Sequence, residues 1–347
     1  MKELLIVSAS PHTKGRIDIS LAMKLVILAL LPTLIFSVYL FGFRALIIIL
    51  ISVIGSVICE AIMQKILGKK ITITDGSAAL TGILLAFNLP PGVPLWLPLV
   101  GSVFAIVFAK QLFGGLGYNF INPALAGRAF LMASWPSFMT KAWLVPRGGT
   151  LSGIDGITSA TPLTLLKSPS NFGNPEIIIK HVNEWATIKN CLFGNVGGCI
   201  GETSALLLLI GAIFLIIIGI VDYRIVVGYL GGFVILTFVL PTKANTLFHL
   251  FSGGLFLGAF FMATDWVTSP VTKKGRWIFG IGCGVLTIII RVWGGYPEGV
   301  SYSILLMNVF TPVIDRFTRE RIFGESPARS LLRKGGAMKK ATQEVKK

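Results

Sequence analysis

A short polar segment, residues 155–164, holds residue types that could carry a covalently attached group. Its sequence is Asp-Gly-Ile-Thr-Ser-Ala-Thr-Pro-Leu-Thr, so hydroxyl side chains crowd together with small residues. Thr161 precedes Pro162, which favours an extended backbone and could present the threonine hydroxyl away from the chain. The alternative is a surface turn in which these side chains bond to their own backbone. The residues alone leave both interpretations open.

Three carboxylates, those of Asp75, Glu202 and Asp265, lie at the edges of apolar stretches. Acidic groups at such positions could hold a sodium ion or relay protons through a membrane protein. They could equally be structural, because acidic residues are favoured at helix starts and in turns. Asp75 stands before Gly76 and Ser77 and therefore fits a helix N-cap, whereas Asp265 fits a turn at the end of a span. An ion-pathway role and a capping role are both kept.

The composition indicates an integral membrane protein around these residues. The chain has 347 residues, of which 54% are hydrophobic and 13% charged, and its mean hydropathy is +0.80. Soluble domains carry about 25% charged residues. The net charge is +16. In a membrane protein, the positions of the basic residues indicate which side of the membrane each loop occupies. No nucleic-acid partner is expected.

The apolar stretches predict an all-α polytopic membrane protein with about ten transmembrane helices, since a span needs about 20 apolar residues. The third stretch ends in a proline pair, and the fifth contains two asparagines, a proline and Arg128. We expect these two to be broken or re-entrant. The predicted spans are residues 19–41, 43–64, 76–91, 94–113, 119–140, 202–220, 223–241, 246–263, 275–293 and 298–316.

A weak internal similarity predicts two inverted halves. Residues 77–87 resemble residues 252–261, and each stretch is followed by a further span and then by a helix with Asn and Pro. Five spans in each half, an odd number, would turn the second half over in the membrane. The predicted divisions are an N-terminal arm (1–18), a first five-helix repeat (19–140), a polar segment (141–201), a second five-helix repeat (202–316) and a basic tail (317–347).

The positions of lysine and arginine predict the orientation. An N-terminus inside the cell places most basic loop residues in the cytoplasm, among them Lys65, Lys110, Arg224 and Arg276. The positive-inside rule therefore predicts cytoplasmic termini in a bacterial inner membrane and an extracytoplasmic 141–201 segment. The basic tail is expected near anionic lipid headgroups.

Several familiar catalytic patterns do not occur in the sequence. It has no Walker A, HExxH or catalytic-triad pattern, which argues against a hydrolase or ATPase. It has no CxxC, so an iron–sulfur cluster held by this chain alone is not expected. Cys59 and Cys283 lie in apolar spans and are expected in the core. Cys191 and Cys199 lie outside the spans, and a disulfide between them is left open.

Longer stretches resemble one family of membrane subunits. The segment around Thr161 has the form Asp-Gly-x-[Ser/Thr]-[Ser/Gly]-Ala-Thr, and further blocks follow the same order as in that family, at residues 113–130, 194–203, 261–269 and 290–299. Over about residues 15–320 the chain resembles the family formed by the Rnf D subunit and the B subunit of the sodium-pumping NADH:quinone oxidoreductase. Its length and short N-terminal arm are closer to the Rnf D subunit.

The resemblance implies a redox function. In that family the last threonine of the motif carries FMN through a phosphoester; the matching residue is Thr161, with Asp155 and Ser159 in the same motif. The resemblance also implies a noncovalent riboflavin in the helix bundle and a flavin transferase acting on the outer face. Together with the Rnf A, B, C, E and G subunits, the chain would form an enzyme that couples electron transfer between ferredoxin and NAD+ to the transport of Na+ or H+. The ferredoxin and NAD+ sites are expected on those other subunits.

Arg128 gains a specific interpretation from this resemblance. A charged arginine at the centre of a span costs about 2.5–3.5 kcal/mol to insert, so it needs a partner. A flavin phosphate or the edge of the isoalloxazine ring would suit its guanidinium. Asn119 and Asn122 are then expected as neighbours that hydrogen-bond the ring. Without a flavin, Arg128 would snorkel to the outer interface or bind an internal carbonyl.

A second class of function fits the same topology. A flavin-free transporter or channel would also have inverted repeats and broken helices. The two classes differ in a simple property, because a covalent flavoprotein is yellow and keeps its flavin fluorescence in SDS.

Overall fold

The structure, a computed structural model, describes residues 18–144, 146, 161–167, 175–202, 204–240, 242, 244–296 and 298–319. Asp155, Ser159, the N-terminal 17 residues and almost all of the basic tail lie outside the described residues. Within the described ranges every regular element is a helix. This agrees with the all-α class predicted from the apolar stretches.

Two long helices, α1 (Ile19–Phe41) and α2 (Phe43–Ile66), open the described chain. Gly42 alone joins them, with a φ of 75° that suits a residue without a Cβ atom. Together with α14 (Lys273–Trp293), they are long and apolar enough to cross a membrane.

The remaining helices are shorter. The first half continues with α3 (Ser77–Phe87), α4 (Trp96–Ile106), which runs on as a π-helical turn (Val107–Gln111), α5 (Pro123–Ser134) and α6 (Pro136–Lys141). The polar segment contributes α7 (Pro162–Lys167), α8 (Pro175–Asn183) and α9 (Trp185–Phe193). The second half contains α10 (Ala205–Ile218), α11 (Tyr223–Val239), α12 (Thr246–Phe251), α13 (Leu255–Leu257) with a π-helical turn (Gly258–Met262), α14 and α15 (Val300–Thr318).

The structure shortens or breaks three of the predicted spans. α3 has 11 residues and is therefore about 17 Å long, roughly half of a hydrocarbon layer about 30 Å thick. Trp135 separates α5 from α6, which begins at Pro136, so the expectation of a broken fifth span is confirmed. A continuous eighth span, residues 246–263, is wrong. The helix ends at Phe251 and resumes at Leu255, because Gly253 adopts a φ of 70° that an α-helix cannot contain.

Helix–helix contacts define two groups of helices. In one group α2, α3, α4 and α5 pack on one another, and in the other α11 packs on α14 and α14 on α15. Between the groups, α5 contacts α15, and α1, which also packs on α2 and α3, contacts α10. Glycine permits the closest approach: a Cβ on Gly211 would lie 2.4 Å from the carbonyl oxygen of Ala29.

Lys110 corrects the assignment of charges to loops. It was expected in a cytoplasmic loop, but its side chain is only 2% exposed and lies 2.8 Å from Glu60, which is 1% exposed. Lys110 Nζ also donates to Ser77 Oγ at 2.7 Å. The π-helical turn carries Lys110 into the bundle, where a carboxylate compensates the buried charge.

Candidate functional site

Thr161 lies directly before α7, with Pro162 as the first helical residue. Proline is favoured there because its fixed φ suits a helix start. The Thr161 Oγ accepts a hydrogen bond from the Thr164 N–H at 3.2 Å and lies 2.7 Å from Thr164 Oγ. Thr161 is only 5% exposed. The expectation of an exposed hydroxyl pointing away from the chain is therefore wrong in this conformation, where the hydroxyl caps a helix.

Arg128, on α5, is buried and fully engaged by protein groups. Its Nη2 forms an ion pair with Glu298, and its Nη1 donates to Ser301 Oγ at 2.6 Å and to Asn88 Oδ1 at 3.1 Å. The main partner is thus a carboxylate, the side-chain carbonyl of Asn88 is a second internal partner, and Arg128 does not snorkel to the interface. Glu298 is not among the residues predicted from the sequence. The signal available was its position in the 290–299 block, since a buried arginine most often needs an acidic partner.

Glu202 lies close to this ion pair, at the end of a short 3-10 turn (Ile200–Glu202). One ligand atom from each of Glu202, Glu298 and Cys199 lies within 4.8 Å of the other two. Glu202 Oε2 accepts from the Cys199 N–H at 3.3 Å. Glu202 does not cap α10, because Ser204 Oγ takes that role by accepting from the Leu207 N–H.

A cavity of about 170 Å³ adjoins Arg128 and is called the arginine cavity here. Its lining includes three aromatic side chains, two cationic side chains and the Glu298 carboxylate, and the rings of Tyr296 and Tyr302 stack with centroids 5.2 Å apart. Thr164, the hydrogen-bond partner of Thr161, also lines it. The polar and aromatic lining residues are Arg128, Thr140, Trp143, Thr164, Lys167, Tyr296, Glu298, Ser301 and Tyr302.

A second cavity of about 230 Å³, called the asparagine cavity, is lined by Asn119, Asn122, Lys110 and Asp265 among others. The buried Oδ1 of Asn119 has no hydrogen-bond partner within the described ranges. Asn119 and Asn122 therefore line a different cavity from Arg128, contrary to the prediction that all three residues contact one flavin ring. The reason is helical geometry: Asn122 and Arg128 are six positions apart on α5, or about 9 Å along its axis.

The two remaining predicted carboxylates differ in environment. Asp75 Oδ1 accepts from the N–H and Oγ of Ser77, the first residue of α3, both at 2.8 Å. The N-cap position is held by Gly76, so Asp75 supports the helix start from one residue before it and is not the N-cap that the sequence predicts. Asp265 accepts from the Val267 N–H at 3.4 Å and from Thr268 Oγ at 3.1 Å, and it lines the asparagine cavity. Asp265 thus combines a turn role with access to a cavity.

The two cysteines outside the spans are both free thiols and both buried. Burial raises the pKa of Cys191, on α9, to about 12. The Cys199 thiol donates to the carbonyl oxygen of Asn88 at 3.4 Å. Neither side chain is placed as a reactive thiolate, and the structure contains no disulfide between them.

Comparison with known proteins identifies relatives along nearly the whole chain. A profile described as the NQR2, RnfD, RnfE family matches residues 6–324. The chain is 52% identical over 325 residues to the D subunit of the Na+-translocating ferredoxin:NAD+ oxidoreductase complex of Acetobacterium woodii, covering 93% of this chain and 97% of that protein.

Two further relatives carry related names. The D subunit of the proton-translocating ferredoxin:NAD+ oxidoreductase complex of Clostridium ljungdahlii is 44% identical, with 93% of this chain and 97% of the relative aligned. The D subunit of the ion-translocating oxidoreductase complex of Escherichia fergusonii is 35% identical, with 92% of this chain and 98% of the relative aligned. The resemblance inferred from the motifs is confirmed, and the chain belongs to the NQR2, RnfD, RnfE family.

Proposed function

We propose that this chain is the D subunit of an ion-translocating ferredoxin:NAD+ oxidoreductase, a membrane complex that couples electron transfer to Na+ or H+ movement. The observation that carries the proposal is the extent of the similarity: the chain covers 97% of the Acetobacterium woodii protein at 52% identity. Subunits of the Rnf A, B, C, E and G types are the partners, and they would hold the ferredoxin and NAD+ sites.

Thr161 is the residue that would carry FMN as a phosphoester. Its motif supports this assignment, and so does its location, because its neighbour Thr164 lines the arginine cavity. The three aromatic side chains of the lining suit a flat isoalloxazine ring. The ammonium of Lys167, which donates to the carbonyl oxygens of Arg291 and Val292, adds a positive charge that suits a phosphate. FMN would supply the redox chemistry there, while the residues of this chain hold it and exclude water. A flavin transferase is required to form the ester.

Arg128 would act on FMN differently from the sequence-based hypothesis. Since Glu298 already compensates its charge, the pair presents a dipole to the arginine cavity rather than a free cation. We therefore assign the ion pair to shaping the cavity wall. Asp155 and Ser159 stay in the proposal as members of the motif.

The asparagine cavity is the proposed riboflavin site. Its fit rests on the amide of Asn119, whose Oδ1 is a buried acceptor without a partner among the described residues. Asn122 borders the same cavity, but its Oδ1 caps α5 and its Nδ2 donates to the Met262 carbonyl oxygen. A flavin ring carries an N–H and carbonyl groups on one edge, and side-chain amides complement both. The apolar part of the lining, including Phe260 and Phe261, suits the rest of the ring.

The proposed membrane arrangement is two inverted five-helix halves with cytoplasmic termini and an extracytoplasmic flavin segment. The contacts of α1 with α10 and of α5 with α15 support it, because a twofold axis between the halves pairs first helices with first and fifth with fifth. The distribution of basic residues supports the orientation in an inner membrane.

The ester is tested by SDS-gel flavin fluorescence of the full chain produced with its flavin transferase. Thr161→Asn is the sharpest variant, because asparagine keeps a helix cap but has no hydroxyl to esterify. We expect Thr161→Asn and Thr161→Ala to lose the fluorescent band. Thr164→Ala, the matched control, should keep it.

Persistent fluorescence in Thr161→Asn would refute the assignment, and peptide mass spectrometry would then locate the modified residue. A wild-type chain that carries no flavin and yet transports ions in vesicles would favour the flavin-free transporter.

A further inference from the structure

The start of α14 and the end of α15 meet at one corner of the molecule. The Asp315 carboxylate accepts from the Val271 N–H at 3.1 Å and from the Thr272 N–H at 3.4 Å. The hydroxyl of Thr272 is also hydrogen-bonded to the hydroxyl of Thr318. These bonds tie the two helix ends together, so the residues that the two ends carry lie close to one another.

Four exposed basic residues belong to these helix ends, and we call them the basic corner. They are Lys273 and Lys274 at the start of α14, Arg316 in the last turn of α15, and Arg319, which directly follows α15. None of the four forms an ion pair with another residue of the described ranges. Their charges are therefore open to a partner from outside the chain.

The acidic residues next to the basic corner are already engaged. Asp315 accepts from backbone N–H groups, and Asp222 is paired with both Arg224 and Arg276. With these two arginines counted, six basic residues stand against two acidic ones, which leaves four positive charges in excess. A concentrated excess of one sign of charge on an exposed surface attracts a partner of the opposite sign.

An exposed apolar surface adjoins the basic corner on both helices. On α14, Ile278 and Ile281 follow Lys274 at spacings of four and three residues, so the three side chains lie on one helix face. Ile278 is 50% exposed and Ile281 46%. On α15, Phe310 and Val313 are 47% and 48% exposed. Each helix thus presents a basic end followed by an apolar face, which matches the charged headgroup and the acyl chains of a phospholipid.

The position of the basic corner along α14 favours a lipid over a soluble anionic partner. α14 is long and apolar enough to cross a membrane, and Lys273 is its first residue. Trp277, one turn later, is 37% exposed, and tryptophan is enriched at membrane–water interfaces. The basic corner therefore lies at the level of the headgroups. The partial positive charge at the start of a helix adds to the attraction for a phosphate.

We propose that the basic corner binds one anionic phospholipid of the leaflet that faces the cytoplasm in the proposed orientation. Its phosphate lies between the ends of α14 and α15, and its acyl chains lie along their exposed apolar faces. Basic sites between transmembrane helices on the cytoplasmic side suit anionic headgroups. The inference is independent of the flavin assignments, because neither cavity contributes a residue to the basic corner.

Binding of phosphatidylglycerol to the purified, delipidated full chain in detergent tests the proposal, with native mass spectrometry to count the bound lipids. We expect one tightly bound phosphatidylglycerol and no tightly bound phosphatidylcholine with the same acyl chains. Lys273→Gln combined with Lys274→Gln should weaken the affinity about thirtyfold, which corresponds to about 2 kcal/mol. Arg316→Gln, on the other helix, should weaken it about fivefold.

Two control variants separate this site from the general charge of the surface. Lys65→Gln combined with Lys70→Gln removes two exposed lysines from the same predicted side of the membrane, at the end of α2 and just beyond it. This variant should bind phosphatidylglycerol as the wild type does. Lys273→Arg combined with Lys274→Arg keeps both charges and should also keep the affinity.

Three outcomes would overturn the proposal. Equal weakening by the Lys65 and Lys70 variant would show that only the overall surface charge matters. Unchanged affinity in the Lys273 and Lys274 variant and in Arg316→Gln would leave the basic corner to an acidic surface of another protein. Displacement of phosphatidylglycerol by millimolar inorganic phosphate would make a soluble anion the ligand. Thermal unfolding of each variant confirms that it is folded before its affinity is compared.

Discussion

Arg128 on α5 and Glu298, two residues before α15, form a buried ion pair that joins the two groups of helices. The side chains are 5% and 12% exposed. Breaking a buried pair by removing one partner costs about 3–5 kcal/mol, because the other charge is left uncompensated. The pair is therefore a structural connection between the halves as well as a wall of the arginine cavity.

Arg128→Gln and Glu298→Gln should each lower the thermal unfolding midpoint of the detergent-solubilised chain strongly. The double variant should be less destabilised than the sum of the two, since it leaves no unpaired charge. Arg276→Gln is the control: its pair with Asp222 is partly exposed, so a change of about 1 kcal/mol or less is expected. Additive effects in the double variant would contradict the coupling.

Capping by Thr161 predicts a stability effect separate from the flavin. In chain produced without the transferase, Thr161→Ala should destabilise the fold by about 1 kcal/mol, and Thr161→Asn should restore most of that loss. Limited proteolysis of the polar segment would report the change. Equal sensitivity of Thr161→Ala and wild type would show that the hydroxyl contributes no cap.

Asp222, in the connection between α10 and α11, predicts a pH dependence. Partial burial alone would raise the pKa of Asp222, but the Arg224 N–H, at 2.8 Å, and the Arg276 guanidinium outweigh it and hold the pKa below its usual value. A lowered pKa stabilises the fold at pH values above the unfolded pKa of about 3.9, and this stabilisation is lost as the pH falls through the folded value.

Asp222→Asn should therefore unfold at a lower temperature than wild type at pH 7, and the difference should shrink below about pH 4. Arg276→Gln, with the same measurement, should show a smaller pH-dependent difference. A gap between Asp222→Asn and wild type that stays constant down to about pH 3, below the unfolded pKa, would contradict this account.

The contact between α1 and α10 predicts opposite effects for two helical glycines. Gly211→Ala should be strongly destabilising, because the new Cβ would lie 2.4 Å from the Ala29 carbonyl oxygen, which belongs to the backbone. Gly231→Ala, on α11, meets no atom within 4 Å and should stabilise its helix by about 0.5–1 kcal/mol. Thermal unfolding compares the two, and similar midpoints would show that α1 and α10 do not pack this closely.

A comparison of variants at Asp75 and Asp265 distinguishes a capping role from a role in ion transport. Asp75→Asn should mainly weaken the start of α3, whereas Asp265→Asn alters a group that lines the asparagine cavity. In vesicles containing the whole complex, we expect Asp265→Asn to impair ion uptake more than flavin content. Unchanged uptake and electron transfer in both variants would show that both carboxylates are structural.

Hydropathy was sufficient to predict the long helices. The predicted span 19–41 coincides with α1, and 43–64 ends two residues before α2 does. Hydropathy could not find the break after Phe251, because a glycine pair is compatible with both a continuous and an interrupted helix. The φ of Gly253 is fixed by packing in three dimensions.

The residues that pair with the buried charges could also not be predicted from the sequence. Arg128 and Glu298 are 170 residues apart, and Lys110 and Glu60 are 50 residues apart. Periodicity carries no information on such distant pairs. What could be predicted was the need for a partner, because an isolated charge in an apolar span is unfavourable.

Helix α5 fixes the spacing of two cavities. Asn122, at its start, borders one cavity, and Arg128, six residues later, borders the other. Each residue of an α-helix adds about 1.5 Å along the axis and about 100° of rotation around it. One extra residue between Asn122 and Arg128 would lengthen the separation only slightly, but it would rotate the guanidinium away from Glu298. Evolution can therefore exchange side chains along α5 far more readily than it can insert or delete a residue there.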